Sequence, residues 1–337
     1  MLIGKNATWA YLVARTKVMK RKLIPKDEYR KLLNMEFNEI VRYLEETDYK
    51  KEIDEFGYRY SGPKLMDYAL SLNLSRTYQK IIRISFGLAK DLISSYLKKW
   101  ELTNIISILR GKSANIPPDE IEEAIVPVER DFDYYKSLIA KDVDEVVGTY
   151  RGTPYFETLS KIGTMPPNQI EDELFKTYYL ELTKLKPAEL SLKLFVDFVK
   201  MEVDLRNLKT ILRMKVENAT PDEIISRLIP NGYELTIDEC RKLATMSWSE
   251  LVKALEGYWF WKGVEKIEEE LSTTEVLFDK AWIETIAKRA TSYPLSILPV
   301  MHYMVLKKVE VDNLRILGWG KWYNMPNEEI EKQMVIV

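Results

Sequence analysis

The stretch that decides the fold is "EVDNLRILGWGKWYNMPNEEI", residues 310–330, because the same pattern occurs twice earlier in the chain. The earlier copies are "ELTNIISILRGKSANIPPDEI" at 101–121 and "DLRNLKTILRMKVENATPDEI" at 204–224, and all three align without a gap. Each copy closes with an acid, a glutamate and an isoleucine. A pattern that recurs at domain-sized intervals indicates an internal repeat.

Three positions within each copy keep their chemistry. An acidic residue comes first, an asparagine follows three residues later, and a lysine follows the asparagine by eight residues. We treat these as structural repeat positions. They are Glu101, Asn104 and Lys112; Asp204, Asn207 and Lys215; and Glu310, Asn313 and Lys321.

A second, weaker marker precedes each copy. The stretches "NEIVRYLEETDY" (38–49), "DEVVGTYRGTPY" (144–155) and "SELVKALEGYWF" (249–260) also align, with Glu39, Glu145 and Glu250 in register. Two markers in the same order predict one unit used three times, much longer than the 20–50 residues of common solenoid repeats. The predicted domains are 1–116, 117–219 and 220–337.

The repeated residues suit one face of a helix. At 100° per residue the acid, the asparagine, the lysine and the apolar residues between them fall on a stripe about 120° wide, as expected for a packing face. We expect the acid near a helix start and the lysine near its end, where each complements the helix dipole. The asparagine would bond to a neighbouring segment. In the alternative interpretation, the three acids form a catalytic or ion-carrying set.

The third copy contains "GWGK", which resembles part of a phosphate-binding loop. The aligned second copy has Met214 where Gly320 stands, and neither Ser nor Thr follows Lys321. We therefore expect no nucleotide to bind here.

Composition narrows the class of protein. Lys and Arg number 50 against 52 Asp and Glu, so the charge gives no attraction towards nucleic acid. The chain has only 13 glycines in 337 residues, which favours an all-α fold. Cys240 and His302 are the single cysteine and histidine, which disfavours a zinc site, and a Cys–His catalytic pair would need both. We expect no cofactor, and we expect His302 to be packed and Cys240 to be packed or at the surface.

No segment predicts a membrane span. The longest uncharged run contains the apolar stretch 293–306, which has fourteen residues, whereas a span needs about 20. The N-terminus lacks the features of a signal peptide. We expect a soluble chain or one peripheral to a membrane.

Three local stretches allow further expectations. Residues 64–116 lack proline and should be helical, with a break near Gly87 or before Thr103. The cations of "RTKVMKRK" (15–22) suit a solvated helix face or contact with lipid headgroups or an acidic partner. The aromatic "GYWFWKG" (257–263) suits a core or a docking surface.

The three-copy Asn-[Ile/Leu]…Lys pattern, clearest in "NIISILRGK", together with "YLVARTKVM" near the N-terminus, resembles one family. It is similar to the C subunits of archaeal and vacuolar-type rotary ATP synthases, related to the d subunit of eukaryotic vacuolar ATPases. Met214 in place of glycine, and Pro326 one position earlier than Pro118 and Pro221, depart only from the regularity of the copies.

The resemblance implies a funnel-like molecule of three similar helical domains with a central socket. It implies a non-catalytic rotor subunit, peripheral on the cytoplasmic face of the cell membrane. Its expected partners are the central shaft subunits, held in the socket, and the membrane proteolipid ring. Such a subunit transmits torque for ion translocation and binds neither nucleotide nor nucleic acid.

Two other functions remain open at this point. An α-helical repeat scaffold that binds other cytoplasmic proteins would have the same composition. An all-α enzyme could use the repeated acids, but one copy should then diverge into an active site, whereas all three keep the acid, the asparagine and the lysine.

Overall fold

The computed structural model describes residues 5–186, 188–261 and 271–337. Eighteen helices occur in these ranges. They are α1 (Lys5–Lys20), α2 (Lys26–Leu32), α3 (Phe37–Leu44), α4 (Lys50–Phe56), α5 (Gly62–Ile84), α6 (Gly87–Ser113), α7 (Pro118–Glu123), α8 (Phe132–Ile139), α9 (Val143–Gly148), α10 (Phe156–Leu159), α11 (Pro167–Thr183), α12 (Leu190–Val216), α13 (Pro221–Arg227), α14 (Ile237–Thr245), α15 (Trp248–Leu255), α16 (Leu271–Ser292), α17 (Leu298–Trp322) and α18 (Asn327–Gln333).

The all-α prediction is confirmed, since no β-strand occurs in the described ranges. The break predicted near Gly87 is also confirmed. Helix α5 ends at Ile84 and α6 begins at Gly87, whose φ of +50° lies in the left-handed region that glycine adopts readily.

Six long helices contact one another in a closed cycle. Helix α5 packs on α6, α6 on α11, α11 on α12, α12 on α16, α16 on α17, and α17 returns to α5. The chain ends are thereby brought together, because α17 also packs against α1.

Side-chain contacts fix the directions of these helices. Tyr96 and Phe198 pack edge to face, and Lys99 Nζ lies 3.1 Å from Glu202 Oε1, so α6 and α12 run parallel. Helix α5 runs antiparallel to α17, because the Tyr78 hydroxyl donates to the carbonyl oxygen of Met304 while Asp67 accepts from Arg315.

The same argument applies to α11 and α16. Helix α11 runs antiparallel to α6, through Tyr178 with Tyr96 and Arg110 with Glu171. Helix α16 runs antiparallel to α12, through Arg289 with Asp197 and Lys209 with Asp279. The α5–α6, α11–α12 and α16–α17 loops therefore lie at one end of the molecule.

Hydrogen bonds of the third repeat copy cross the predicted domain boundaries. Glu310, in predicted domain 220–337, accepts from the backbone N–H of Ile24 and the hydroxyl of Tyr49, both in predicted domain 1–116. The boundaries themselves stay a prediction. Helix α17, which carries the third repeat copy, nevertheless packs on helices from the start of the chain.

Candidate functional site

The three repeat asparagines lie within the long helices and make the same pair of hydrogen bonds. Each side-chain amide donates to, and accepts from, the backbone of one residue 22 positions later. The partners are Val126 for Asn104, Ile229 for Asn207 and Val335 for Asn313. Because the asparagines are buried, these bonds satisfy backbone groups that water cannot reach.

The repeat acids are buried too, with partners of different kinds. Glu101 accepts from the Tyr150 hydroxyl at 2.7 Å and from Lys98 at 2.9 Å. Glu310 accepts from Tyr49 and Ile24 and forms an ion pair with the buried Lys307 at 2.8 Å.

Asp204 holds a backbone turn. It accepts from three successive backbone N–H groups, Tyr233 to Leu235, and from Trp259 Nε1. Burial raises the pKa of Asp204, and these donors oppose the rise. Apart from the pairs with Lys98 and Lys307, which lie within one helix, these contacts join separate segments, so the acids serve as buried acceptors.

One expectation about the acids is wrong. Glu101, Asp204 and Glu310 lie in the middle of α6, α12 and α17 rather than near a helix start. Each helix begins well upstream, so the acid is remote from the N-terminal dipole, and its donors are instead side chains and backbone N–H groups of other segments.

The repeat lysines do lie in the last turns. Lys112 donates to the carbonyl oxygens of Ile139 and Lys141. Lys215 donates to those of Ala244 and Met246. Lys321 differs, because it donates to the side-chain oxygen of Asn327.

Sequence reasoning missed a second asparagine set, at the ends of these helices. Asn115, Asn218 and Asn324 adopt φ values of 55°, 57° and 55°. The next residue's N–H donates to the carbonyl oxygen five residues earlier, as in a Schellman cap. The signal was the asparagine eleven residues after each repeat asparagine.

The second marker set proves to be a set of capping boxes. Glu39, Glu145 and Glu250 each occupy the third position of a short helix and accept from the backbone N–H of its N-cap residue. The residue three positions earlier, which is Glu36, Asp142 or Ser247, was the available signal for this motif.

The glycines of "GWGK" lie inside α17. A Cβ on Gly320 would come within 2.6 Å of Ile330 Cγ1, and one on Gly111 within 2.6 Å of Ile121 Cγ1. Gly111 and Gly320 therefore each let the following short helix pack closely. The backbone N–H groups in the interior of α17 are used in the hydrogen bonds of the helix itself.

A set of charged residues lies where α6, α12 and α17, the helices that carry the repeat asparagines, come close together. Lys99, Glu202 and Lys308 each stand five residues before a repeat asparagine. Lys99 pairs with Glu202, and Lys308 lies over the ring of Trp100, 6.0 Å from its centroid. Sequence reasoning missed this set because its charges alternate in sign.

One face of each long helix changes from buried to exposed along its length. Near the helix starts this face carries the buried residues Tyr96, Phe198 and Met304. About two turns later it carries Thr103 and Arg206, both exposed, and half-buried Asp312. Exposure on this face thus rises towards the helix ends, where the Arg206 guanidinium lies over the rings of Phe175 and Tyr179 in α11.

The single histidine and cysteine are buried, as predicted for His302. Burial, followed by the charge of Lys20, lowers the pKa of His302 to about 4. Burial raises the pKa of Cys240 to about 12. Neither group suits nucleophilic or acid–base chemistry near neutral pH.

The structure also locates the basic stretch 15–22 and part of the aromatic stretch 257–263. The cations of 15–22 are exposed on and just after α1. In the aromatic stretch Phe260 is fully buried and packs on Phe278, while residues 262–263 lie outside the described ranges. The sequence also allows a helix start at Pro187, which lies outside the described ranges.

Two absences within the described ranges bear on the kind of site this chain can hold. No cluster of His, Cys, Asp and Glu side chains there has the arrangement of a metal site. None of the helices described is both long and apolar enough for a bilayer crossing.

Comparison with known proteins agrees with the resemblance. Residues 12–333 match the family described as ATP synthase (C/AC39) subunit. The C subunit of the A-type ATP synthase of Archaeoglobus fulgidus is 59% identical over 335 residues, which are 99% of this chain and 98% of that protein. Proteins of the same name from Methanococcoides burtonii and Haloferax volcanii are 36% and 28% identical, over 99% and 97% of this chain and 96% and 97% of those proteins. The chain belongs to the C/AC39 family of ATP synthase subunits.

Proposed function

We propose that this chain is the non-catalytic central-stalk subunit of an A-type ATP synthase, a rotor part that links the shaft of the soluble sector to the membrane proteolipid ring. It would take part in ATP synthesis and ion transport by transmitting torque. The names of its relatives support a place in the complex. The rotor role rests on the geometry that follows.

The observation that carries the proposal is the gradient of exposure along α6, α12 and α17. On one face of these helices Tyr96 and Phe198 are buried nearer the helix starts, whereas Thr103 and Arg206 are exposed towards the helix ends. Three helices that diverge in this way would form a funnel with a central socket. The shaft would enter at the ends of the helices.

The equivalent contacts support a triplicated fold with domains 1–116, 117–219 and 220–337. They also suggest that each spatial lobe is completed by the next unit. Arg110 of α6 pairs with Glu171 of α11, Arg213 of α12 pairs with Glu275 of α16, and Arg315 of α17 pairs with Asp67 of α5. Such a closed cycle would resist the shear that torque imposes, because packed helices are hard to deform.

The repeated residues favour a structural role over an enzymatic one. Each acid, asparagine and lysine is used in a contact that joins segments. ATP chemistry would then belong to other subunits, and this chain would sit peripherally on the cytoplasmic face, contacting no nucleotide or nucleic acid itself.

Disulfide crosslinking in the assembled complex tests the socket. The native Cys240 is buried, so single cysteines can be introduced without removing it. Thr103→Cys, on the inner face, should crosslink to a cysteine on the shaft tip and leave rotation-coupled ATP hydrolysis running, because both parts turn together. Val18→Cys, which is exposed on α1, is the matched outer-surface control and should not crosslink. A Thr103→Cys crosslink to the shaft that stops turnover would refute the rotor role.

Deletion of the subunit tests coupling. ATP hydrolysis by the soluble sector should persist while hydrolysis-driven ion pumping into vesicles is abolished. The alternative, a scaffold for other cytoplasmic proteins, predicts unchanged pumping and no co-purification with the proteolipid ring.

A further inference from the structure

The two ends of the molecule differ in charge. One end, here called the loop end, contains the three loops before α6, α12 and α17. The other, the cap end, contains the Schellman caps at Asn115, Asn218 and Asn324. Within seven residues of Phe86, Leu190 and Leu295 the chain has eight Lys or Arg and three Asp or Glu. Within seven residues of the three cap asparagines the chain has five Lys or Arg and nine Asp or Glu. A chain that is nearly neutral overall is therefore basic at the loop end and acidic at the cap end.

The loop end also exposes apolar side chains at matching places. Phe86, Leu190 and Leu295 are 53%, 55% and 55% exposed, and they precede their repeat asparagines by 18, 17 and 18 residues. Single exposed apolar residues are common on protein surfaces. Three exposed apolar residues at corresponding loops on one end of the molecule, however, indicate a shared cause.

Two of the cations stand where helix electrostatics do not favour them. Lys90 and Lys193 are exposed in the first turns of α6 and α12, each fourteen residues before a repeat asparagine. Acids are the stabilising residues at a helix start. Lys184 and Lys186 add further exposed charge in the α11–α12 loop.

Exposed Phe and Leu among Lys and Arg are the combination that binds an anionic bilayer surface, where apolar side chains enter the headgroup boundary and cations meet lipid phosphates. We propose that the loop end binds anionic lipid headgroups directly. This deepens the proposed function, on which it rests, by orienting the funnel with its loop end against the membrane and its cap end towards the shaft.

Vesicle binding by the purified full-length chain tests the proposal. The probe is sedimentation with vesicles of phosphatidylglycerol and phosphatidylcholine in equal amounts, compared with phosphatidylcholine alone. We expect binding only to the anionic vesicles, weakening as NaCl rises. Phe86→Ser, Leu190→Ser and Leu295→Ser combined should weaken partitioning at least about tenfold, because three apolar side chains lose their contact with the lipid.

The matched control alters the cap end. Ile116, Val216 and Met325 are 40%, 41% and 37% exposed, and their combined replacement by Ser should leave vesicle binding unchanged. Lys90→Glu with Lys193→Glu should reduce binding to anionic vesicles even with the apolar residues intact. Circular dichroism would establish that each variant is folded.

Absence of binding to anionic vesicles at low salt would overturn the proposal, and so would an equal loss in the cap-end variant. Binding of the chain to a lipid-free proteolipid ring through the same loops, without vesicle binding, would identify ring protein as the occupant and also refute it. Either result leaves the rotor role standing, whereas failure of the shaft crosslink would leave vesicle binding unaffected.

Discussion

At the scale of single residues, the repeated polar side chains substitute for backbone partners. Asn207 is 1% exposed and donates to and accepts from Ile229 at 2.7 and 2.8 Å. An amide is the side chain that can do both at once, since it carries an acceptor oxygen and a donor nitrogen. A carboxylate or a lysine at this position would leave one of the two groups unsatisfied.

Replacement of the amide should therefore cost stability. For Asn207→Ala we expect the free energy of unfolding to fall by about 2–4 kcal/mol, because two buried backbone groups lose their partners. Urea denaturation measures it. Asn168→Ala, an exposed position in the first turn of α11, serves as the control and should change the value by less than about 0.5 kcal/mol. Equal effects at the two sites would contradict this account.

His302 should make stability depend on pH. Its pKa is about 4 in the folded chain and about 6.5 when unfolded, so the unfolded state binds the proton first. Its contribution is complete above pH 6.5 and is lost as the pH falls towards 4, a loss of about 3 kcal/mol. Urea denaturation at pH 7 and 4.5 should show a smaller pH effect in His302→Leu than in the parent chain. An unchanged pH effect would show that His302 titrates normally.

At the scale of elements, each long helix ends in the same way. A residue in the last turn faces the isoleucine of the following short helix, and an asparagine with positive φ turns the chain back towards it. Two copies use glycine at the close contact, Gly111 and Gly320, and the middle copy uses Met214. The element is kept although the residue is not.

Gly111→Ala tests that close contact. The new Cβ would meet Ile121 Cγ1 at 2.6 Å, so we expect a loss of about 1–3 kcal/mol from overpacking. The loss should shrink in a chain that also carries Ile121→Ala, and a thermal or urea double-mutant cycle measures the difference. Gly148→Ala in α9 has open space around its Cβ and should stabilise by up to about 1 kcal/mol. Additive effects of Gly111→Ala and Ile121→Ala would argue against the steric explanation.

At the scale of the whole molecule, the last long helix depends on the first residues. Helix α1 buries Trp9, Leu12 and Val13 and packs against α17, while Ile24 donates its backbone N–H to Glu310. The closed cycle of helices thus has a joint between the two ends of the chain. Mechanical stiffness of the molecule would depend on that joint.

Deletion of residues 1–24 should loosen the opposite end of the sequence. We expect amide hydrogen exchange in α17 to speed up at least about tenfold, equivalent to about 1.4 kcal/mol of local stability, because its apolar partner and the donor to Glu310 are gone. Exchange in α12, which packs on α11 and α16, should change much less. Mass spectrometry of proteolytic fragments measures both, and uniform acceleration in the two helices would contradict a local joint.

By itself the sequence determined the all-α class, the break at Gly87 and the matching spacing of the three copies. These follow from helical periodicity and from residue spacing, which are local properties. Only the tertiary structure decided that Glu310 bonds to a residue 286 positions away and that Lys99, Glu202 and Lys308 meet. The physical reason is that several helices have equally apolar faces, so the local pattern does not specify which faces contact each other. Which long helix packs against α1 depends on how all the helices fit together.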